Sequence, residues 1–482
     1  MSAERILVVD VGTSSVRAAV VDADANLACE YREATLPDSP APGLVEFDAA
    51  ELAAVALRLA SAALDDAGPV TAVGIANQRG STVVWDRATG EPVAPGLGWQ
   101  DLRTVGRCLE LGAQGLRIGP NLSATKAEHI LDAVDPSRER DLCFGTVDSW
   151  IVWVLSRGTT HVTDATNAAI TGLRAPGNDG WSPRVLEALG IPERILPAVV
   201  DSSGVCGEAA ALPGAPPIAG LIGDQQASLL GQGCVARGDA KITFGTGGVL
   251  DLVVGAEQPG TARGSAGSFP IVTRRVAGTD TWGVEAMMLS AGTNVEWLRD
   301  DLGLIEQASD SDDLAASCDD TGDVWYVPAL LGLGTPRWDY GARGTFVGIT
   351  RGTDRAQIVR AVLEGIAHRG VDLVEAAEAD THQRVDVLRV DGGMTANATF
   401  LQALADAGSR AVELSPLREA TALGAAFTAG LATGMWRSDD DIAATWQPTT
   451  TFEPRRALDR GRWREAVDRA ARWLPELSTI DF

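Results

Sequence analysis

The chain has 482 residues, of which 45% are hydrophobic and 22% charged, and its formal net charge is −25 at pH 7. This length suits two domains, and the acidity disfavours nucleic acid or an anionic membrane as a partner because both bind basic surfaces. A secretory leader and a long apolar run are absent, so we expect a cytoplasmic protein. The six scattered cysteines form no C-x-x-C pair, which argues against a zinc site or a disulfide framework.

The first predicted element is a β-hairpin in residues 5–22. Two apolar runs flank the small polar turn Gly12-Thr13-Ser14, and Asp10 stands at the end of the first run. The amides and hydroxyls of such a turn suit a phosphate, and a carboxylate at a strand end suits Mg²⁺ held through water. Most glycine hairpins of this composition are purely structural, so the pattern is weak by itself.

A hairpin of the same design is predicted in residues 241–254. An apolar strand again runs into a turn, Gly245-Thr246-Gly247, and back out. Two matching turns in opposite halves suggest an internal duplication, with one phosphate-binding turn facing the other across a cleft. The G-x-x-x-x-G-K-[ST] loop, another way to hold a nucleotide, does not occur in the sequence.

The segment Leu221-Ile-Gly-Asp224-Gln225-Gln226 places a carboxylate at the head of an apolar helical run. Near a helix N-terminus the amide dipoles favour the ionised carboxylate, which would keep Asp224 available as a proton acceptor. The two following amides suit the hydroxyl groups of a small polar substrate. An ordinary N-cap is the equal alternative for Asp224.

Other polar clusters follow predicted strands and helix starts. Arg79 could donate two hydrogen bonds to neighbouring hydroxyls, and Trp99 offers a flat face to a polyol or sugar, although a surface arginine and a core tryptophan would give the same pattern. The spacing of Trp150 and Trp153 predicts the buried face of a helix. None of the four histidines has a metal-ligand partner at useful spacing.

Three further segments belong to the second half. A small-residue turn at 290–294 opens a helix, and the strand at 387–391 breaks into the glycine pair Gly392-Gly393, where a nucleobase or ribose could lie against the backbone. A plain strand-to-helix connection would use the same glycines. Residues 419–426 predict a helix of small side chains suited to tight packing.

In this order, the segments resemble the FGGY carbohydrate kinases, and most closely the branch of that family that phosphorylates glycerol. The resemblance covers nearly the whole chain. It implies an α/β fold of two actin-like domains (ribonuclease H-like, the ASKHA class) with the active site in the cleft between them. It also implies MgATP-dependent phosphorylation of a sugar or polyol hydroxyl. We expect the first domain in residues 1–233 and the second in residues 234–482.

The resemblance assigns roles to individual residues. The general base is Asp224, and Mg²⁺ is held by Asp10 and Asp224. The polyol is contacted by Arg79, Trp99 and Gln225. The residues around the phosphates are Thr13, Ser14, Arg17, Gly245 and Thr246. The residues bordering the nucleotide are Gly292, Glu296, Gly393 and Asn397. Phosphoryl transfer depends mainly on positioning and charge neutralisation, so one carboxylate base suffices.

Three substrate positions depart from the glycerol-phosphorylating pattern. Gly80 stands where that branch has Glu, Asn121 where it has an aromatic residue, and Val249 where it usually has Phe. We expect these changes to enlarge the pocket and to favour a longer polyol or a ketose. Glycerol itself, or a non-catalytic sugar-binding protein of the actin-like superfamily, remains the alternative. The oligomeric state is open, with a homodimer or homotetramer as candidates.

Overall fold

The computed structural model describes residues 4–175, 180–416 and 419–481. The strands are β1 (Arg5–Val11), β2 (Ser15–Asp22), β3 (Leu27–Ala34), β4 (Glu46–Phe47), β5 (Ala72–Asn77), β6 (Val83–Asp86), β7 (Gly96–Leu97), β8 (Leu142–Gly145), β9 (Val162–Asp164), β10 (Ala198–Val200), β11 (Ser203–Glu208), β12 (Pro217–Gly223), β13 (Ala240–Phe244), β14 (Gly248–Gly255), β15 (Phe269–Val276), β16 (Thr279–Met288), β17 (Trp325–Val327), β18 (Thr345–Val347), β19 (Val387–Asp391), β20 (Ala411–Leu414) and β21 (Thr450–Phe452). The helices are α1 (Ala49–Ala67), α2 (Val105–Ala113), α3 (Ala124–Val134), α4 (Val147–Leu155), α5 (Ala165–Ala169), α6 (Pro183–Leu189), α7 (Asp224–Gly231), α8 (Thr293–Asp300), α9 (Asp310–Ala316), α10 (Arg355–Thr381), α11 (Ala398–Gly408), α12 (Ala420–Thr433), α13 (Asp439–Ala444), α14 (Arg460–Ala470) and α15 (Pro475–Ser478).

The same five-stranded pattern occurs twice. In the N-terminal half the strand order is β3-β2-β1-β5-β12, with two antiparallel pairs followed by two parallel pairs. In the C-terminal half the order β16-β14-β13-β19-β20 repeats that arrangement of directions. The duplication predicted from the two hairpins is therefore confirmed, since β1–β2 and β13–β14 occupy equivalent places.

The two halves meet edge to edge in one 13-stranded sheet. Strand β11 pairs with β15 through the single residue pair Ser203 and Val276, so this junction is much narrower than the pairings within each half. Each half has its own apolar core, one around β1, β2 and α1 and the other around β13, β14 and α10. Two cores joined at a narrow sheet edge leave a cleft where the parallel strands end.

Helix α12 packs against the N-terminal half although it lies late in the chain. Its small residues allow backbone contact: a Cβ on Gly424 would lie 1.8 Å from the Ala227 carbonyl oxygen, and one on Gly74 would lie 2.3 Å from the Ala425 oxygen. The tight packing predicted for this segment is confirmed. The domain boundary at residue 233 stays a prediction. Helix α12 comes after this boundary in the chain but packs against the N-terminal half.

Local expectations for the other helices also hold. The side chains of Trp150 and Trp153 are buried in α4, and the turn before α8 opens a helix as predicted. All six cysteines are free thiols. Across the described residues, every helix is too short or too polar to span a bilayer.

Candidate active site

Asp10 is the penultimate residue of β1 and faces its cross-strand partner Arg17 in β2. The Arg17 Nη1 atom lies 3.7 Å from Asp10 Oδ2, and its Nε atom lies 3.0 Å from Glu30 Oε1. Arg17 also contacts the carboxylate of Glu419 at the start of α12. Three carboxylates thus surround the guanidinium that was expected near phosphates, and Arg17 acts here as their shared counter-ion.

Burial is the main reason that the pKa of Asp10 is raised to about 6; Arg17 opposes this shift and the neighbouring Asp224 contributes to it. Two carboxylates that lack enough positive charge between them suit a divalent cation. No group of three or more His, Cys, Asp and Glu side chains among the described residues could hold a metal alone. Asp10 and Asp224 therefore fit a cation that brings its other oxygen ligands from a nucleotide.

Asp224 is the first residue of α7, and Gly223 is its N-cap. The N-cap alternative for Asp224 is therefore wrong. Its Oδ1 atom accepts from the Gln225 amide at 2.8 Å and lies 3.3 Å from Arg79 Nε, which leaves Oδ2 without a hydrogen bond to any described residue. The expected low pKa is also wrong: burial raises the pKa of Asp224 and outweighs Arg79 and the Gln225 amide.

Arg79 follows β5 and crosses to the C-terminal half. Its Nη2 atom donates to Glu285 Oε2 of β16 at 2.7 Å, while Nη1 is buried without a partner among the described residues. A Cβ on Gly223 would lie 2.6 Å from Arg79 Cδ, so only glycine before Asp224 leaves room for this path. The guanidinium is thus shared between carboxylates of both halves and keeps one free donor.

Glu285 belongs to a row of charges across three strands. Lys241 of β13 pairs with Asp251 of β14 in register, and Asp251 pairs with Glu285 of β16. The Lys241 Nζ atom lies 2.9 Å from Asp251 Oδ2, and both side chains have no exposed surface. Burial raises the pKa of Glu285 to about 7, opposed by Arg79. This buried row reaches Asp224 through Arg79, which contacts both Glu285 and Asp224.

A buried polar network lies behind Asp224. Thr166 Oγ1 accepts from the Gly223 amide at 2.9 Å and donates to Asp164 Oδ1 at 2.9 Å. The amides of Asn167 and Asn77 exchange two hydrogen bonds, and Asn77 pairs in register with Gly223. The network ties together the ends of β5 and β12, which are the strands that deliver Arg79 and Asp224.

Trp99 lies beside the turn of the first hairpin. Its indole nitrogen donates to Thr13 Oγ1 at 3.0 Å, and 40% of the residue remains exposed, so a ring face is available to a ligand. Lys126 anchors the same region, because its Nζ atom donates to the carbonyls of Pro120 and Leu122 on either side of Asn121. Burial lowers the pKa of Lys126 to about 7.

Gly80 does not open space as expected. Its φ is +72°, and an added Cβ would lie 2.4 Å from the carbonyl oxygen of Asn121. The loop around Asn121 thus occupies the room that a side chain at position 80 would need. Val249 does lie on the cleft wall, facing Thr243 and Met287 across the strands. The enlargement expected at Val249 and Asn121 stays a prediction.

The second turn lies against the start of α8. The Gly245 carbonyl accepts from the Gly292 amide at 2.9 Å, and the Thr246 carbonyl accepts from Ala291 at 2.8 Å. A Cβ on Gly292 would lie 2.7 Å from the Gly245 oxygen, so this contact requires glycine. Gly245 and Thr246 themselves are exposed, as Ser14 is at the first turn, which suits binding of a phosphate.

The residues predicted to border the nucleotide differ in how free they are to contact a ligand. Gly393 is open, with no atom near an added Cβ, and Glu296 is exposed in the first turn of α8. Asn397 is committed to a helix cap: its Oδ1 accepts from the Phe400 amide at 2.8 Å and its Nδ2 donates to Ser311. Asn397 therefore shapes the backbone at this end of the cleft and has little side chain left for a ligand.

Sequence reasoning missed the residues that position the site. These are Lys241, Asp251, Glu285, Asp164 and Thr166. A signal existed for two of them, because Lys241 and Asp251 stand equally far from Thr246 on its two sides and must pair if the hairpin is regular. The contacts of Glu285 and Thr166 depend on how segments that are distant in the chain pack together. A local sequence pattern does not predict such packing.

Sequence models of a known domain family match both halves of the chain. The N-terminal domain model of the FGGY family of carbohydrate kinases matches residues 5–231, and the C-terminal domain model matches residues 240–433. A glycerol kinase of Aromatoleum aromaticum is 44% identical over 94% of this chain and 95% of its own. One of Deinococcus radiodurans is 42% identical over 93% of each chain. The chain belongs to the FGGY family of carbohydrate kinases.

Solved structures extend the comparison. A glycerol kinase of Plasmodium falciparum with ADP matches with a TM-score of 0.91 and 27% identity, covering 100% of this chain and 99% of its own. A xylulose kinase of Brucella ovis matches with a TM-score of 0.87 and 25% identity, covering 99% and 100%. The predicted two-domain actin-like fold is confirmed. The protein is a phosphotransferase with an alcohol group as acceptor, similar to glycerol kinases.

Proposed function

We propose that the protein transfers the γ-phosphoryl group of MgATP to a hydroxyl of a small polyol or sugar, with Asp224 as general base. The observation that carries this proposal is the Asp224 carboxylate. One of its oxygens is held by Gln225 and Arg79, and the other is free of hydrogen bonds to described residues. A free carboxylate oxygen at a cleft surface can accept the proton of a reacting hydroxyl.

The raised pKa of Asp224 supports the same role. Burial makes this carboxylate a stronger base than a solvated one, and the Arg79 guanidinium beside it favours the ionised form that can accept a proton. The acceptor hydroxyl would lie against the free Oδ2 atom, with Arg79 Nη1 and Gln225 directed at its neighbouring oxygens. Asp10 would hold the Mg²⁺ of the nucleotide, and that ion neutralises charge on the phosphates.

The two exposed turns complete the nucleotide side. Backbone amides around Thr13 and Thr246 would receive the phosphates, and the open backbone at Gly393 would lie beside the nucleoside. Contacts between the halves, such as that from Arg79 to Glu285, favour a closed cleft that excludes water. Water exclusion matters because water could otherwise take the phosphoryl group.

Glycerol is the second candidate substrate, favoured by the identity of 44% to a glycerol kinase. A non-catalytic sugar-binding role has less support, since it gives no reason for an unpaired carboxylate oxygen beside Asp10. The deciding experiment is a coupled ADP-release assay with MgATP and a panel of triols, tetritols, pentitols and ketoses. We expect turnover that requires an acceptor, and binding of acceptors without turnover would contradict the kinase assignment.

A further inference from the structure

Ser202 lies at the point where the two halves of the sheet meet. It stands directly before β11, and its backbone amide donates to the Arg275 carbonyl of β15 at 2.9 Å. Its hydroxyl oxygen accepts from the Arg275 backbone amide at 3.0 Å. Ser202 has no exposed surface, and both its backbone and its side chain bind the C-terminal half.

The Ser202 hydroxyl also reaches the network behind Asp224. It donates to Asp164 Oδ2 at 2.6 Å, while Thr166 Oγ1 donates to Asp164 Oδ1 at 2.9 Å. Thr166 Oγ1 then accepts from the Gly223 amide at 2.9 Å, and Gly223 directly precedes Asp224. An unbroken path of buried hydrogen bonds therefore runs from the junction of the two halves to the residue before Asp224.

The direction of each hydrogen bond in this path is fixed. A backbone amide only donates, and the Asp164 carboxylate already accepts from the backbone amides of Thr166 and Asn167. The hydroxyls of Ser202 and Thr166 therefore each donate to Asp164 and each accept from one backbone amide. An apolar side chain at position 202 would break the path and leave a buried amide without its acceptor.

A second contact holds the two halves together independently of Ser202. Arg275 Nε donates to Asp280 Oδ1 at 2.7 Å, and Arg174 Nη2 of the N-terminal half donates to Asp280 Oδ2 at 2.8 Å. This ion cluster lies beside the path and does not use the serine hydroxyl. Loss of that hydroxyl should therefore interrupt the path without separating the halves.

We propose that Ser202 is a positioning residue for phosphoryl transfer, because it couples the junction of the two halves to the position of Asp224. Closure of a two-domain cleft moves one half against the other, and a narrow junction is where such a movement is accommodated. A path of fixed hydrogen bonds from this junction would align the general base with the acceptor as the cleft closes. The inference rests on the proposed role of Asp224 as general base.

Ser202→Ala tests this inference, with Ser203→Ala as the matched control. Ser203 is the next residue of the same junction, but its hydroxyl donates to the Thr428 carbonyl of α12 and takes no part in the path. With the best acceptor of the panel, kcat should fall about fivefold to tenfold in Ser202→Ala while the KM for MgATP stays unchanged. Ser203→Ala should keep a kcat within about twofold of the wild type. Equal losses in the two variants, or a wild-type kcat in Ser202→Ala, would overturn the inference.

A double-variant cycle with Thr166→Val separates positioning from a general loosening of the structure. Both single changes interrupt the same path, so Thr166→Val/Ser202→Ala should lose no more kcat than the more affected single variant. Losses that multiply would show two independent structural effects and would overturn the inference.

Asp224→Asn, measured in parallel, distinguishes this inference from the proposed function. A loss of kcat in Asp224→Asn together with a wild-type kcat in Ser202→Ala contradicts only the positioning role of Ser202. Retention of kcat in Asp224→Asn contradicts the proposed function and this inference with it.

Ser202→Cys is the second variant if Ser202→Ala does not fold. The sulfur atom fills the site, but a thiol is a weak donor and a weak acceptor, so kcat should fall about threefold. Thermal melting of each variant identifies those that fold. A folded Ser202→Cys protein with the wild-type kcat would contradict the inference.

Discussion

The two hairpins have the same topology, but their ion pairs lie at different distances from the turn. In the first, Asp10 and Arg17 pair next to the turn, where Asp10 borders the cleft. In the second, the equivalent position near the turn holds Thr243 and Val249, and the ion pair of Lys241 and Asp251 lies two residue pairs further from the turn. The Lys241–Asp251 pair is fully buried.

The burial of each ion pair determines which groups its side chains can contact. Asp10 can reach a cation because part of its side chain remains exposed, and burial raises its pKa to about 6 although Arg17 opposes the shift. Lys241 has no exposed surface, and its Nζ atom donates to Gln225, the residue after Asp224. The two hairpins thus share their turn, and the strands behind the turns have diverged to carry a partly exposed carboxylate in one hairpin and a fully buried ion pair in the other.

Asp10→Asn should produce the largest change on the first hairpin. We expect kcat/KM for MgATP to fall about a hundredfold or more, because the amide is a poor ligand for Mg²⁺. Glu30→Gln, which removes another carboxylate partner of Arg17 away from the turn, is the matched control and should retain most activity. Equal losses in both variants would show that Asp10 serves only to hold Arg17.

The same Asp10→Asn variant should be more stable than the wild type. A folded-state pKa raised from 3.8 to about 6 means that Asp10 stabilises the fold below pH 4 and that this contribution is lost as the pH rises through 6. At pH 7.5 the neutral amide should raise the free energy of unfolding by about 1 to 3 kcal/mol. Urea unfolding measures this, and a destabilised variant would contradict the assigned cause of the pKa shift.

The pH dependence of kcat/KM should reflect the same raised pKa of Asp10. With Asp10 and Asp224 both raised in pKa and close together, kcat/KM should fall about tenfold per pH unit below about 6, as the pair takes up a proton. Assays between pH 5 and 8 in saturating Mg²⁺ and in limiting Mg²⁺ check this. Mg²⁺ should move the fall to lower pH, and a profile flat down to pH 4.5 would contradict the account.

Thr166→Val should lower kcat about tenfold without changing the KM for MgATP. The valine has nearly the same shape but cannot accept from the Gly223 amide, so Asp224 loses its fixed position. Thr166→Ser keeps the hydroxyl and is the matched control. If the valine and serine variants lose activity equally, packing and not the hydrogen bond is responsible.

Gly80→Ala should affect stability more than Val249→Phe. The alanine must adopt φ +72° with its Cβ 2.4 Å from the Asn121 oxygen, so we expect a loss of about 2 kcal/mol in the free energy of unfolding. Val249→Phe faces the cleft and should cost less than about 1 kcal/mol. Gly106→Ala, with open space around its Cβ, is the neutral control.

The sequence predicted the hairpins, the duplication and the position of Asp224 because each depends on residues close in the chain. The alternation around Gly12 and Gly245 defines two strands and a turn whatever the rest of the protein does. The pKa of Asp224 was predicted with the wrong sign, since a helix terminus is visible in sequence and burial by distant residues is not.

The substrate pocket was harder to predict for the same reason. Gly80 was interpreted as lost volume, but the backbone of Asn121 fills that place, and only the folded chain brings the two together. Glu285 lies far from Arg79 in sequence, yet it engages the guanidinium directly. The polar contacts around Asp224 depend on how the two halves meet, whereas the two hairpin turns depend on contacts within each hairpin.

The central claim is that Asp224 accepts the proton of the acceptor hydroxyl, and Asp224→Asn tests it most directly. The amide keeps the shape and the contact with the Gln225 amide but cannot take a proton. We predict that kcat falls between about a hundredfold and ten-thousandfold, while calorimetry shows nucleotide affinity close to that of the wild type. An Asp224→Asn protein that keeps more than about a tenth of the wild-type kcat would contradict the account.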